Sequence, residues 1–252
     1  MKFRVLIPAR HASARLPGKP LIDIGGRPMI ARVYERAAAA APLSVAVATD
    51  SEAIERACRA LGLAVEMTGA THVSGTDRIA EVARRSGWSD EEIVVNVQGD
   101  EPLIPVPVIR QVAALLASAP RAAIATLATP VESLAEYLDP NAVKVVGDAT
   151  GRALYFSRAP IPWIRDSAPQ GLTTQTGWSG ALRHVGIYAY RVGALLKLAG
   201  LAPTALEQAE RLEQLRALEN GLTIQFAVAV EKPPGGVDTA ADLERVRRLL
   251  TS

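Results

Sequence analysis

The sequence Phe3-Arg4-Val5-Leu6-Ile7-Pro8-Ala9-Arg10 stands near the start of the chain, and its first half predicts the fold. The run from Phe3 to Ile7 has the length and the β-branched content of a buried strand. Pro8 has no amide N–H to donate, so we expect strand pairing to end there. The chain then leaves the sheet at the carboxyl end of the strand, which is the edge where open parallel sheets bind ligands.

A cationic loop follows this strand. With Arg10, the continuation His11-Ala12-Ser13-Ala14-Arg15-Leu16-Pro17-Gly18-Lys19-Pro20 places three cations within ten residues. Its prolines and glycine stiffen it, and the first acidic residue comes only at Asp23, so little in the segment can neutralise the cations. These features suit a polyphosphate, although a surface loop with solvated cations fits the spacing equally well.

Composition limits the class of partner. The chain has 252 residues, of which 49% are hydrophobic and 21% charged, with a formal net charge of +2. These values are ordinary for a globular protein, and so small a charge predicts no nucleic-acid partner and no membrane partner. Cys58 is the only cysteine, which favours a reducing compartment, and no apolar stretch approaches about 18 residues. We therefore expect a cytoplasmic protein.

Strands alternate with helices along the first half of the chain. The pattern predicts an α/β fold with a mostly parallel sheet, built from strands at 3–7, 45–48, 64–67, 93–97 and 123–127 and helices at 28–41 and 106–117. Thr49 with Glu52 fits a capping box for the helix between the second and third strands. From Asn141 the strands come closer together, at 142–146, 153–156 and 185–190, which indicates a more antiparallel portion. We expect one helix over Leu206 to Leu218.

Two aspartates stand where a metal site could form. Asp100 comes directly after the strand Ile93 to Val97, where a carboxylate faces the ligand edge, and Mg²⁺ takes one or two such oxygens together with phosphate. An ordinary turn aspartate before Pro102 is the alternative. Asp238 follows a glycine pair and could reach the same crevice, or could cap the last helix with Thr239. In the loop after the third strand, Thr76 or Asp77 would cap a helix without any ligand.

Taken jointly, the motifs resemble a known family. They are Ile7-Pro8-Ala9-Arg10, Arg15-Leu16-Pro17-Gly18-Lys19-Pro20, Ser74-Gly75-Thr76-Asp77-Arg78, Asn96-Val97-Gln98-Gly99-Asp100-Glu101-Pro102, Asn141-Ala142-Val143-Lys144, Leu154-Tyr155-Phe156-Ser157-Arg158 and Gly236-Val237-Asp238-Thr239. The chain is similar to the 3-deoxy-manno-octulosonate cytidylyltransferases from Phe3 to about Leu249. The segment Asp166 to Ala181 departs most from the family pattern.

The resemblance implies a fold and a reaction. The fold would be that of the nucleotide-diphospho-sugar transferases, a Rossmann-like single domain over 1–252 with a mostly parallel sheet and helices on both faces. Residues 1–130 would mainly bind nucleotide, and the more antiparallel residues 140–235 would serve sugar binding and dimerisation. The reaction couples CTP to 3-deoxy-D-manno-octulosonate (Kdo), giving CMP-Kdo and pyrophosphate with Mg²⁺, for lipopolysaccharide synthesis. The family is homodimeric.

The resemblance also assigns residues. The nucleotide set is Pro8, Ala9, Arg10, Arg15, Lys19, Ser74, Gly75, Thr76, Arg78, Gln98 and Asp100, with Arg10, Lys19 and Asp100 catalytic. The metal carboxylates would be Asp100 and Asp238. The sugar set is Gln98, Arg158, Arg165, His184, Tyr188, Glu213 and Gln214. The residues alone favour a different interpretation, in which His184 and Tyr188 are a half-buried hydrogen-bonded pair on a strand and Glu213 with Gln214 is an exposed helix face.

Other functions remain possible at this stage. A cytidylyltransferase for another ulosonic acid, such as a nonulosonate or 8-amino-Kdo, would share the nucleotide half and differ in the sugar pocket. A catalytically silent nucleotide-sugar binding module would lack the metal carboxylates, yet Asp100 and Asp238 are both present. A glycosyltransferase of similar fold typically carries Asp-x-Asp, whereas the local sequence here is Gly99-Asp100-Glu101.

Overall fold

The computed structural model describes residues 1–11 and 16–251. Its strands are β1 Arg4–Ala9, β2 Val45–Thr49, β3 Val65–Met67, β4 Ile93–Asn96, β5 Ile124–Pro130, β6 Lys144–Gly147, β7 Ala153–Ser157, β8 Leu182–Arg191 and β9 Ile224–Val228. Its α-helices are α1 Met29–Ala39, α2 Glu52–Ala60, α3 Gly75–Arg85, α4 Val106–Ser118, α5 Leu134–Leu138, α6 Val192–Ala199, α7 Ala205–Glu210, α8 Gln214–Glu219 and α9 Ala240–Thr251. Within these described ranges, no helix has the length and apolar character needed to cross a membrane.

The strands form one mixed sheet in the order β3-β2-β1-β4-β8-β5-β9, with β6 and β7 beside β8. Along that order only β8 runs against the others in the described chain, because it is antiparallel to both β4 and β5 while the remaining pairs are parallel. The prediction of an α/β fold with a mostly parallel sheet is therefore confirmed. Because β8 is reversed, its first residues lie at the edge where β1 and β4 end.

Helices cover both faces of the sheet. On one face, α1, α2 and α4 bury Ile30, Ile54 and Val108 against the odd-numbered side chains of β1. On the other face, α3, α6 and α8 pack with Leu6, Val94 and Tyr190. Strands covered on both sides bury both sets of side chains, which is why Val5 to Ile7 in β1 and Ile93 to Val95 in β4 are apolar without alternation.

The end of β1 corrects one prediction. Pairing does not stop at Pro8, because β1 continues to Ala9 and pairs with β2 through Thr49. The N–H of Val5 donates to the carbonyl of Ser44, so the alternation of a strand turns the nitrogen of Pro8 away from β2 and towards β4. Pairing with β4 has already ended at Asn96, and the donor that proline lacks is not needed there.

The predicted helix from Leu206 to Leu218 is wrong as a single element. It divides into α7 and α8 because Arg211 adopts a left-handed backbone conformation with φ of 53°. Leu212 and Leu215 are buried, as the helical spacing of the apolar residues predicts. The helix is nevertheless interrupted, because α7 ends at Glu210 and α8 begins at Gln214. Glu213 lies at this break as the N-cap of α8.

Two helix starts also differ from the predictions. Ser51, and not Thr49, caps α2, with its side chain accepting from the N–H of Ile54. Ser74 caps α3 in a capping box with Asp77, two residues before the predicted cap at Thr76. Both caps are serines of the polar loops. Helix α2 therefore begins two residues later than a cap at Thr49 predicts, and α3 begins two residues earlier than a cap at Thr76 predicts.

Candidate active site

A polar cavity of about 320 Å³ opens at the carboxyl ends of β1 and β4. The end of β1, the loop around Lys19, the start of α3, the loop after β4 and the segment before α9 all contribute to its wall. The lining residues are Pro8, Ala9, Arg10, Lys19, Pro20, Gly75, Gln98, Gly99, Asp100 and Asp238. Most of the predicted nucleotide set thus lies around one cavity, at the edge that the strand order predicts.

The most polar feature of this cavity is a lysine between two aspartates. The Nζ of Lys19 lies 2.7 Å from Asp100 Oδ2 and 3.1 Å from Asp238 Oδ1. The lysine side chain is only 13% exposed, whereas those of Asp100 and Asp238 are 34% and 52% exposed. Two carboxylates thus converge on one shielded cation from distant parts of the sequence.

Backbone contacts hold the two aspartates together. The N–H of Val237 donates to the carbonyl of Asp100 over 2.8 Å. Val237 itself is fully buried in a small cluster with Ile24 and Met29, which anchors the segment against the loop that carries Lys19. A Cβ added to Gly236 would lie 3.1 Å from the same carbonyl, so the close approach favours a glycine.

Glycines also shape the floor of the cavity. A Cβ on Gly99 would lie 2.8 Å from the carbonyl oxygen of Pro8, closer than side chains permit, so only glycine lets the β4 loop meet the end of β1. A Cβ on Gly75 would lie 3.1 Å from Cγ of Pro8, so the first residue of α3 packs on the same proline. The positive end of the α3 dipole therefore lies at the cavity and favours an anion there.

The two aspartates suit a divalent cation of the Mg²⁺ type. Their oxygens already converge on a single cation, the Lys19 ammonium, and Mg²⁺ characteristically uses one or two carboxylates with phosphate oxygens and water completing its shell. Among the described residues, no cluster of three or more histidine, cysteine, aspartate or glutamate side chains could hold a metal ion by protein groups alone. Glu101 lies beside Asp100, and burial, followed by the charge of Asp100, raises the pKa of Glu101 to about 7.

A second cavity, of about 190 Å³, adjoins the first. It lies between the sheet and helices α3, α6 and α8, and Gln98 lines both cavities. Its lining residues are Thr76, Asn96, Gln98, Ile124, Tyr188, Tyr190, Leu198, Glu213 and Gln214. The shared side chain of Gln98 makes the two cavities neighbouring compartments of one site.

Glu213 links the second cavity to the start of α3. The hydroxyl of Ser74 donates to Glu213 Oε1 over 3.3 Å, and Thr76 also hydrogen-bonds this carboxylate. Thr76 bonds the hydroxyl of Tyr190 as well. Burial raises the pKa of Glu213 in spite of these hydrogen bonds. Ser74 and Thr76, predicted to bind nucleotide, therefore hold a residue of the predicted sugar set.

Comparison with known proteins agrees with this arrangement. A family model described as cytidylyltransferase matches residues 4–224. A 3-deoxy-manno-octulosonate cytidylyltransferase of Thioalkalivibrio sulfidiphilus (strain HL-EbGR7) is 54% identical over 250 residues, which cover 99% of each chain. The chain belongs to the 3-deoxy-manno-octulosonate cytidylyltransferase family. A second member, from Pseudomonas syringae pv. tomato (strain ATCC BAA-871 / DC3000), is 54% identical over 98% of each chain.

Two solved structures have a similar fold, and one of them is also similar in sequence. The structure of a CMP:2-keto-3-deoxy-manno-octonic acid synthetase complexed with CTP superposes with a TM-score of 0.89 at 42% identity, covering 100% of this chain and 99% of that one. A cytidylyltransferase from Leptospira borgpetersenii serovar Hardjo-bovis (strain JB197) has a TM-score of 0.61 at 19% identity, covering 100% of this chain and 87% of that one. The second comparison shows a shared fold only.

Not every residue that the family resemblance assigns reaches the two cavities. Arg78 has a side chain only 1% exposed and lies 2.8 Å from Asp50, with Thr68 and Gly69 as further partners. It supports the loops beside the site and does not line the first cavity. Arg158 is similarly engaged, since its guanidinium donates to the carbonyls of Glu210, Pro140 and Arg211. Arg165 is exposed in a short 3-10 helix, and Arg15 lies outside the described residues.

His184 lies behind Tyr188 and stays neutral. Burial lowers the pKa of His184 to about 3. Its Nε2 lies 2.9 Å from the hydroxyl of Thr126, which is also 2.8 Å from the carbonyl of Ile187. If the threonine donates to that carbonyl, the hydrogen-bond network assigns the proton of the imidazole to Nε2. The ring contacts Phe156 and Tyr188 at 5.1 and 5.2 Å between centroids, so it orients the tyrosine that lines the second cavity.

Sequence reasoning missed four residues of the second cavity, the polar Asn96 and Tyr190 and the apolar Ile124 and Leu198. Asn96 carried a usable signal, because it is a polar residue inside the buried apolar run of β4. Tyr190 carried none, since an aromatic residue is common in a strand and its hydrogen bond to Thr76 is tertiary. Gly99 and Pro20, which were not assigned, also line the first cavity.

Proposed function

We propose that this protein couples CTP to Kdo, forming CMP-Kdo and pyrophosphate as a precursor step of lipopolysaccharide synthesis. The observation that carries the proposal is the position of Lys19 between Asp100 and Asp238 in the first cavity. A second cavity, rich in amide side chains, lies beside it, and Gln98 lines both. A polyphosphate with its cation fits the first compartment, and a polyhydroxy acid fits the second. The assignment also agrees with relatives that are 54% identical and carry this activity in their names.

The geometry suggests how the residues divide the work. The sugar hydroxyl attacks the α-phosphorus of CTP, an oxygen–phosphorus bond forms, and the bond to the departing pyrophosphate breaks. Lys19 and Arg10, with the start of α3, would hold the phosphate oxygens on which charge develops. Gln98, between the two cavities, would align the hydroxyl with the phosphorus.

A magnesium ion belongs to the proposal. Asp100 and Asp238 would hold it, and when bound it would neutralise phosphate charge and acidify the attacking hydroxyl. Lys19 would then bind phosphate instead of the carboxylates, since an ammonium is a suitable point charge for it. Because the metal would acidify the hydroxyl, the proposal does not need the neutral His184 as a general base.

The function is tested by pyrophosphate release from purified protein with CTP and Mg²⁺. Kdo, a nonulosonate and 8-amino-Kdo are supplied in turn at equal concentration. Of the three acids, we expect Kdo to give the highest kcat/KM. A higher value for either alternative acid would assign the protein to that acid, and no release with any acid would favour a silent binding module.

We predict that CTP is used in preference to ATP. A solved structure complexed with CTP superposes over the whole of this chain at 42% identity, and a pocket that fits a pyrimidine excludes the larger purine. We expect kcat/KM with ATP to be lower by about 10²-fold or more, with UTP between the two. Equal rates with CTP and ATP at saturating Kdo would contradict a pyrimidine pocket.

We also propose a two-fold dimer that involves residues 166–180. In the structure this segment folds on itself, with Gln175 donating to Ser167 and Trp178 packed near Tyr137. Trp163 and Leu172 remain 45% and 54% exposed on the same part of the chain. Exposed apolar side chains beside a sheet edge are a common dimer contact.

Light scattering at micromolar concentration tests the dimer. A mass near twice the 26.7 kDa of the chain is expected, and Trp163→Ser with Leu172→Ser should shift it towards monomer. A wild-type mass of one chain would exclude the dimer. A dimer that the double variant leaves intact would place the interface elsewhere. The cytoplasmic location stays a prediction.

A further inference from the structure

Asn96 is a buried polar side chain that no internal contact explains. It is the last residue of β4 and only 2% exposed, within an otherwise apolar strand. Its Oδ1 is shielded from solvent and accepts no hydrogen bond from the described residues. Burying a carboxamide oxygen without a donor is unfavourable, so a side chain of this kind is expected to serve a ligand.

The position of Asn96 indicates which part of a substrate it would meet. It lines the 190 Å³ cavity, and the strand register sets it opposite Tyr188 of β8, so both side chains project from the same face of the sheet. The described residues that line this cavity include amides, hydroxyls and one carboxylate but no lysine or arginine. Such a set suits hydroxyl groups, whereas the cations Arg10 and Lys19 line the neighbouring cavity.

We propose that the Asn96 carboxamide binds a hydroxyl of the sugar acid and helps to decide which ulosonic acid is used. Rotation about its last torsion exchanges oxygen and nitrogen, so the group can accept from a hydroxyl or donate to it. A site built to bond a hydroxyl rejects an analogue that lacks it, because the buried amide is then left without a partner. This inference rests on the proposed function, since it requires a polyhydroxy acid in this cavity.

The first experiment uses the wild-type protein with Kdo and its series of monodeoxy analogues, each paired with saturating CTP. One analogue should show a kcat/KM reduced by about tenfold or more relative to Kdo. For this analogue, kcat/KM should be the same in Asn96→Leu as in the wild type, because the hydrogen bond that the substitution removes is already absent. If every monodeoxy analogue were used as well as Kdo, no hydroxyl would be bound and the inference would be overturned.

The variant Asn96→Leu replaces the carboxamide by an apolar side chain of similar volume. We expect its melting temperature to be equal or higher, since an unpartnered polar group is removed, and its KM for CTP to change less than about twofold. Its kcat/KM for Kdo should fall about tenfold. Asn96→Asp should be poorer still, because a second carboxylate would then face Glu213 and an acidic substrate.

Controls separate this inference from its alternatives. Asn220→Leu makes the same change at an exposed site on the end of α8 and should leave all constants unchanged. A folded Asn96→Leu with unaltered kcat/KM for Kdo, or one with an equal loss for Kdo and for every analogue, would reduce Asn96 to a structural residue. Absence of turnover with Kdo in the wild-type protein is a different result, because the proposed function and this inference would then fail together.

Discussion

Asp100→Asn is expected to fold normally and to lose turnover by about 10²- to 10³-fold or more. The amide has the same shape as the carboxylate but no charge, so it cannot hold a divalent cation against phosphate. The side chain is 34% exposed and its main partner is Lys19, so little of the fold depends on it. The measurement is pyrophosphate release over a range of Mg²⁺ concentrations, with circular dichroism to confirm folding.

The magnesium dependence separates a metal role from a structural one. We expect the Mg²⁺ concentration for half-maximal activity to rise in Asp100→Asn while the melting temperature stays near that of the wild type. Glu52→Gln, on the exposed surface of α2, is the matched control and should change neither. Wild-type turnover in Asp100→Asn would remove this residue from the metal site, and a collapse of soluble expression would favour a structural role.

Lys19→Met has the second-largest expected effect. Methionine keeps most of the length of the side chain in its shielded position but removes the charge that meets phosphate. Loss of one charged hydrogen bond to a phosphate reduces kcat/KM for CTP by about 10- to 10²-fold. The fold should persist, since Asp100 and Asp238 both reach solvent when the ammonium is removed.

The direction of the magnesium effect distinguishes Lys19 from Asp100. The ammonium competes with a metal for the same two carboxylates. The Mg²⁺ concentration for half-maximal activity should therefore be equal or lower in Lys19→Met than in the wild type. Lys197→Met on the exposed face of α6 controls for the loss of a charge. A large increase in the Mg²⁺ requirement with unchanged KM for CTP would contradict a phosphate role for Lys19.

The edge position of the site could be predicted because it follows from local patterns. Buried parallel strands are continuous apolar runs, and the residues directly after them lie at the ligand edge. This reasoning placed Asp100 and the loop of Lys19 at that edge, and both line one cavity in the structure. Gln98, which lines the same cavity, was assigned from the family resemblance. The local patterns could not pair Asp100 with Asp238, because their contact depends on the burial of Val237 with Ile24 and Met29, residues far apart in sequence.

The remaining differences have tertiary causes. The spacing of Leu212 and Leu215 is the same in one helix or two, so it contains no sign of the left-handed Arg211 that turns Glu213 towards Ser74. Arg78 has the sequence position of a phosphate ligand, yet Asp50 from another loop takes it into the interior. A charged residue near a motif therefore indicates the region in which the site lies. Only the tertiary packing decides which side chains line the cavity.

The most direct test of the account is a ³¹P NMR spectrum of the reaction with CTP, Mg²⁺ and Kdo. We predict that the three resonances of CTP give way to one phosphodiester signal from CMP-Kdo and one signal from inorganic pyrophosphate, in equal molar amounts. That result requires attack of the sugar hydroxyl on the α-phosphorus. Formation of CDP with inorganic phosphate, or persistence of CTP in the presence of folded protein, would contradict the account.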